Sequence, residues 1–383
     1  MGNREDQLSH IFDAIADEIN ISETMSTKAI QSYEAVGSFL GKNIFDSDVK
    51  IMPQGSFNLG TVIRPLSDED SDYDIDLVCL LEDASAWDED RIKNTIGTPL
   101  ENSDRYGSSM EPEGKRCWTL NYSGFHMDIL PCAPRYDRYT NDETSIRLTH
   151  RQAPGIYESR YSNPHLYGLW FEKRMTVSLM EARQKYAVRN AVDIETVQTY
   201  NVRTPLQKAV QLLKRHRDIM FAEDSSDAPI SIIISTLAGM GYSGSGNLYE
   251  TLKEILSYMD SAVRIDSSGL YHIENPVEKS ENFADKWNEE RSKAEGFYRW
   301  LQRAQKDIIN NPESAFGLDL IAEGMKPAFG DRVVTRAYNS IGDKMHTLSK
   351  SGELGVLGSA GGLVGTSRAA AAKPVKKHTF YGE

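Results

Sequence analysis

Apolar side chains recur every three or four positions early in the chain, at Leu8, Ile11, Phe12, Ile15 and Ile19 and again at Ile30, Tyr33, Val36 and Leu40. That spacing puts each set on one side of a 3.6-residue spiral and predicts two amphipathic helices. Past residue 72 the period changes. Ile75, Leu77, Cys79 and Leu81 alternate with their neighbours, as in a strand with one buried face, and residues 117–122 and 125–131 read the same way, with a helix beginning at 84–91 between them. After Arg203 the helical period returns. Thr204-Pro205 offers an N-cap and a proline at the first helical position, followed by the stripe Leu206, Ala209, Val210, Leu213 and Met220. Asp227-Ala228-Pro229-Ile230-Ser231 opens a very apolar helix at 232–237, and segments at 247–263, 283–310 and 331–349 keep the same rhythm. From Ser351 it stops: residues 352–365 hold six glycines, and a basic stretch at 373–377 leads to Phe380-Tyr381-Gly382-Glu383. So few large apolar groups cannot offset ordering entropy, which predicts a flexible tail. The whole reads as an α+β chain: leading helices (1–44), a core with a small mixed sheet (45–200), a helical domain (201–349) and a tail (350–383).

Two aspartates interrupt the first strand. Because side chains alternate, Asp74 and Asp76 both project from the face opposite Ile75 and Leu77. Two negative charges about 4 Å apart repel by roughly 4 kcal/mol at an effective dielectric near 20, and a divalent cation resolves that repulsion. Carboxylate oxygens with no nearby His or Cys point to Mg²⁺ or Mn²⁺, and Mg²⁺ keeps part of its shell for water and substrate phosphates, so a nucleoside triphosphate is the expected substrate. The segment Pro53-Gln54-Gly55-Ser56-Phe57-Asn58-Leu59-Gly60-Thr61 supplies a partner for that phosphate. Gly55 permits close backbone approach, Ser56 offers a hydroxyl and an N–H, and a short helix from Phe57 would present free N–H groups. Either fragment alone reads equally as an ordinary turn or a solvated edge; together they have the order of a strand-turn-strand unit. The acidic run at 66–72 reads as a solvated connector.

Gly55-Ser56, Gly60-Thr61 and Asp74-Ile75-Asp76 resemble the signature of the polymerase-beta-type nucleotidyltransferases. That superfamily carries a third carboxylate on a later strand, and Asp128 in Phe125-His126-Met127-Asp128-Ile129-Leu130-Pro131 matches it; His126 shares its face and reads as structural. Over about residues 5–345 the chain is similar to the bacterial cyclic-oligonucleotide synthases (CD-NTases), including Asn275-Pro276 and Glu281-Asn282-Phe283-Ala284-Asp285-Lys286-Trp287. The resemblance implies a polymerase-beta-like nucleotidyltransferase core, N-terminal spine helices and a C-terminal helical domain. It implies an enzyme that condenses nucleoside triphosphates, ATP and/or GTP, into a cyclic oligonucleotide second messenger in anti-phage (CBASS) defence, by two-metal catalysis with pyrophosphate release. Asp74, Asp76 and Asp128 would then hold the Mg²⁺ or Mn²⁺ ions, Gly55 and Ser56 the phosphates, and Lys214 would reach the donor triphosphate. Ser231 would donate its hydroxyl to a phosphate, a role with which plain N-capping competes. In some operons of this branch a ubiquitin-activating-type partner couples the synthase's C-terminal carboxylate to other molecules, which the tail ending at Glu383 suits. A linear nucleotidyltransferase acting on a small molecule, a protein or an RNA end shares every catalytic residue and is the alternative.

Composition trims the partner set. With 383 residues and a net charge of −13 the chain is long enough for two domains but is no general surface for duplex DNA or RNA, so no nucleic-acid activator is expected. Cys79, Cys117 and Cys132 are scattered and read as core thiols without structural zinc, unlike the zinc-bearing insertion of vertebrate cyclic GMP-AMP synthase. No apolar run reaches membrane-spanning length and the first residues are polar, which predicts no membrane association and a cytoplasmic protein. One stretch stays open. Arg135, Arg138, Arg147, Arg151, Arg160, Arg174, Arg183 and Arg189, interleaved with Tyr136, Tyr139, Tyr157, Tyr161, Tyr167, Trp170 and Phe171, suit either a pocket that stacks an acceptor base or a linker whose aromatics face the core.

Overall fold

The leading apolar stripes become α1 (Gly2–Ile19) and α2 (Glu23–Asn43), parted at Ser22, whose hydroxyl accepts the Met25 N–H and caps the second helix. The computed structural model describes residues 2–66, 73–135, 144–197, 202–357, 362–365 and 372–374. The acidic connector at 67–72, Tyr136, Arg138 and Tyr139, and the terminal residues through Glu383 lie outside them.

After α2 come β1 (Val49–Pro53), α3 (Gly55–Leu59), β2 (Tyr73–Leu81), α4 (Glu89–Glu101), β3 (Trp118–Tyr122), β4 (Phe125–Pro134), β5 (Ile146–Ala153) and β6 (Ile156–Ser162). They make one mixed sheet in the order β1-β2-β4-β5-β6, with β3 on the first half of β4. The central pair β2 and β4 is parallel, and the other pairings are antiparallel. One sheet face, carrying Ile75, Leu77, Cys79, Leu120, Met127 and Ile129, is buried under Val36 and Leu40 of α2 and Ile92 and Ile96 of α4. Alternation sends every second side chain the other way, where Asp74 and Asp76 are followed by Val78, which joins Cys132 and Ile146 in a second apolar cluster.

In its described part the Arg-rich stretch is folded and is no linker. It forms β5, β6, α5 (Pro164–Arg174) and α6 (Thr176–Asn190), and five of its arginines are spent on the fold. Arg147 pairs with Glu89 and donates to the Ser85 and Trp87 carbonyls; Arg151 pairs with Glu113; Arg160 pairs with Glu158. Arg135 reaches Glu278 at 3.0 Å and lies over the Tyr161 ring, while Arg174 donates to the Gly239 and Tyr242 carbonyls. Tyr167 and Phe171 are buried.

The helical half comprises α7 (Pro205–Met220), α8 (Ser231–Gly241), α9 (Leu248–Ala262), the two-residue strands β7 (Arg264–Ile265) and β8 (Tyr271–His272), α10 (Asp285–Glu289), α11 (Arg291–Ala304), a π turn (Gln305–Asn310), α12 (Asn311–Ser314), α13 (Leu318–Phe329) and α14 (Asp331–Ser351). Thr204 and Gln207 close a capping box on α7. The two leading helices go to different cores. Leu8, Phe12, Ile15 and Ile19 of α1 pack with α7, α9 and α14, with Phe12 stacked on Tyr249, whereas α2 packs on the sheet. The tail is not featureless where it is described: β9 (Leu354–Leu357) pairs antiparallel with β10 (Gly362–Gly365) and β11 (Ala372–Pro374). Backbone pairing needs no large side chains, so the poverty in apolar groups did not foretell it. Among the described residues no helix is long and apolar enough to cross a membrane.

Candidate functional site

Strand register brings the acids together. In the parallel β2–β4 pair Asp76 lies directly opposite Asp128, and Asp74 lies opposite His126, so all three carboxylates share the face away from the α2–α4 core. Asp74 is exposed and the other two are half-buried. The Asp76 carboxyl is pushed up to about 7, first by desolvation and then by the charges of Asp128 and Asp74, while Lys214 draws it back. His126 meets the Asn121 side chain at 2.5 Å, in keeping with a structural role.

The Gly-Ser turn packs against the middle acid. The Gln54 N–H donates to the Asp76 carbonyl at 2.8 Å, and Gly55 starts α3 with φ 58°. A Cβ on Gly55 would stand 2.3 Å from Asp76 Oδ2, so only a glycine lets the turn come this close. Ser56 is half-buried beside it, its carbonyl accepting the Thr61 N–H at 2.8 Å.

Lys214 lies behind this turn. It is buried, its Nζ donates to the Thr61 carbonyl at 3.0 Å, and burial pushes its ammonium down to about 8. The charge is close enough to Asp76 and Asp74 to act on both. Ser231 stands at the start of α8, but its hydroxyl accepts from Arg217 at 2.9 Å, and no described contact joins it to the acids or to the turn.

Among the described residues no trio of His, Cys, Asp or Glu side chains closes around a single point as a finished metal cage. The donor set nevertheless fits Mg²⁺ or Mn²⁺, which are commonly held by one or two carboxylates with water and substrate phosphates completing the shell. Burial and, after it, the charges of Asp128 and Asp74 make Asp76 resist ionisation, and such an ion would offset both.

Comparison with known proteins places this geometry. The profile of the Second Messenger Oligonucleotide or Dinucleotide Synthetase domain matches residues 7–151. A c-di-GMP synthase from Roseivirga ehrenbergii is 28% identical over 392 residues, covering 100% of this chain and 99% of that protein. The cyclic dinucleotide synthase CdnG of Bradyrhizobium diazoefficiens is 25% identical over 406 residues, covering 99% of this chain and 95% of that one. The solved structure of the CD-NTase CdnG from Bradyrhizobium diazoefficiens in complex with GTP superposes with a TM-score of 0.70 at 24% sequence identity, over 88% of this chain and 100% of that one. In sequence along its whole length, and in fold, the chain is similar to the bacterial CD-NTases.

Two further features of the candidate site escaped the sequence reading. One is Thr119, brought opposite Asp128 by the β3–β4 register, whose hydroxyl donates to Asp128 Oδ1 at 2.5 Å. It holds one carboxylate oxygen of Asp128 in place. Groups in this second layer commonly alter metal affinity or activity by about 10–100-fold. Thr119→Val should therefore lower the initial rate by about tenfold and raise the Mg²⁺ concentration needed for half-activity, with Thr119→Ser restoring both. An unchanged Mg²⁺ dependence in Thr119→Val would show that the hydroxyl merely fills space.

The other is the polar side of α7. Gln207 donates to the Leu59 carbonyl, Gln211 to Val62, Lys214 to Thr61, and Arg215 to Arg64. Side chains at i, i+4, i+7 and i+8 thus strap down the segment that follows the Gly-Ser turn. The spacing of Gln207, Gln211, Lys214 and Arg215 was the available signal, a polar stripe beside the apolar one.

Proposed function

We propose that this chain is a bacterial CD-NTase that condenses nucleoside triphosphates, GTP among them, into a cyclic dinucleotide with release of pyrophosphate. The observation that carries the reading is the register of Asp76 with Asp128 on parallel strands, with Asp74 on the same face and Gly55 packed against Asp76. The names of the two full-length relatives support cyclic dinucleotide synthesis, and both that c-di-GMP synthase and the GTP complex favour a guanine nucleotide.

Asp74, Asp76 and Asp128 would hold Mg²⁺ or Mn²⁺, which when bound supplies positive charge to the triphosphate and the attacking hydroxyl. The chain's own groups do the rest. The Gly55–Ser56 backbone and the Ser56 hydroxyl receive the phosphate tail, and Lys214 lends its charge from behind the turn while fixing the Thr61 carbonyl. Thr119 steadies Asp128. In each condensation a ribose hydroxyl oxygen bonds to the α-phosphorus, the bond to the β-phosphate oxygen breaks, pyrophosphate leaves and the hydroxyl proton passes to water. A second round on the re-oriented linear intermediate closes the ring. The proposal includes the domain division at 44, 200 and 349 and a messenger role in anti-phage defence.

The test is to incubate the full chain with all four ribonucleoside triphosphates and Mg²⁺ or Mn²⁺, digest with phosphatase and identify what survives by mass spectrometry. A phosphatase-resistant, guanine-containing cyclic product is expected, absent with Asp74→Ala/Asp76→Ala. Transfer only to an added small molecule, protein or RNA would instead establish the linear reaction.

A further inference from the structure

The C-terminal end of α7 and the second half of α11 border a depression of about 530 Å³ whose lining includes none of the residues of the catalytic face. Arg299, Gln302, Arg303 and Lys306 stand at i, i+3, i+4 and i+7 and so present one continuous side to it. Ile219, Met220 and Pro327 make an apolar floor. Arg303 is committed to Asp307 at 2.5 Å. Arg299 lies over the Phe221 ring at 5.8 Å, and among the described residues neither it nor Lys306 is paired with a carboxylate. Three cations around a hollow that contains one acid are unusual on a chain of net charge −13.

Below the cations lies His216, only 2% exposed. Its Nε2 meets Asp307 Oδ2 at 3.4 Å, while its buried Nδ1 has no hydrogen-bond partner. Polar atoms buried this deeply are nearly always satisfied, so one left over beside a cavity calls for a group the protein does not supply. Asp307 sits in the π turn, from which its carboxylate serves Arg303, His216 and Asn311 at once. Such turns recur at functional sites.

We propose that this depression is a second ligand site, separate from the catalytic face, for a phosphate-bearing small molecule of about nucleotide size. Guanidinium forks beside an ammonium suit phosphate oxygens, the volume falls within the range of small-molecule sites, and the floor seats an apolar ring. A free polyphosphate and a nucleotide share the recognised chemistry.

The experiment titrates the full chain by calorimetry with divalent ions chelated, first with inorganic tripolyphosphate and then with GTP. Wild type should bind tripolyphosphate saturably, Arg299→Ala/Lys306→Ala at least about tenfold more weakly, and Arg299→Lys/Lys306→Arg within about threefold of wild type. Both side chains are exposed, and matching thermal unfolding curves verify that the variants fold. Tighter binding of GTP than of tripolyphosphate by wild type, with the difference lost in the double-alanine variant, identifies a nucleotide; equal binding identifies a free polyphosphate. Equal affinity in wild type and the double-alanine variant, or no saturable binding at millimolar ligand, overturns the proposal. The measurement involves neither turnover nor metal, and because Arg299 and Lys306 lie apart from the Gly55–Ser56 turn, the difference between wild type and variant reports this depression whatever the fate of the cyclase reading.

Discussion

Asp76→Asn should yield a protein that makes no cyclic product yet unfolds at a higher temperature than wild type in metal-free buffer at pH 8. The activity loss follows from removing the carboxylate that faces both Asp128 and the Gly-Ser turn. The stability gain follows from the burial, and after it the neighbouring charges of Asp128 and Asp74, that push Asp76 up to about 7. In the unfolded chain this group ionises near 4, so above pH 7 folding carries an ionised carboxylate that burial and two neighbouring charges disfavour. Between about pH 4 and 7 the folded protein retains a proton that the unfolded chain has released, so the penalty fades as the pH falls. The full displacement corresponds to at most about 4 kcal/mol, and the open side of the cleft screens it to about 1–3 kcal/mol. The variant should therefore gain a few degrees at pH 8 and almost nothing at pH 4. Mg²⁺ should raise the unfolding temperature of wild type at pH 8 and do much less for Asp76→Asn. Melting curves at the two pH values, with and without Mg²⁺, decide the matter; a variant less stable than wild type at pH 8 would mean that the carboxylate is compensated in the free protein.

Gly55→Ala should damage both stability and activity. Two costs coincide there: the backbone sits at φ 58°, where an L side chain is strained, and the added carbon would lie 2.3 Å from Asp76 Oδ2. Either the turn retreats or the carboxylate rotates away, and both separate the phosphate-receiving backbone from the acids. We expect about 1–3 kcal/mol of destabilisation and at least a 100-fold fall in initial rate, since misplacement by about 1 Å suffices for that. Gly124→Ala is the control, because its φ of 100° carries strain while its Cβ would meet nothing within 4 Å. It should lose stability and keep its activity. Comparable rates for Gly55→Ala and wild type would refute the close approach.

Much of the acidic face was legible because it is written in local periods. Alternation alone put Asp74 and Asp76 on one side of β2, whereas Asp128 came from the resemblance to a superfamily with a third carboxylate on a later strand. The Thr204 cap and the proline after it were equally local. Lys214 was different: the helical period set it outside the apolar stripe, yet the carbonyls of the segment after the Gly-Ser turn cover that side of α7 and bury it. Backbone carbonyls leave no trace in a sequence. The arginines of the 135–189 stretch were ambiguous for a related reason, since their partners Glu89, Glu113 and Glu278 lie far along the chain. α13 went unread although Ile321, Met325 and Phe329 share a face, because Pro327 reads as a helix breaker.

The division of α1 and α2 between two cores bears on how the protein is made. On the ribosome the apolar stripe of α1 is complete long before α7, α9 and α14, the helices that cover it, have been synthesised. Its partner α2 waits only for the nearby sheet. Nascent chains stalled before α7 should therefore carry a folded sheet core and an uncovered Leu8–Phe12–Ile15–Ile19 face, a transient binding site for chaperones. That face closes only when α14 arrives, so the earliest helix is among the last to be packed.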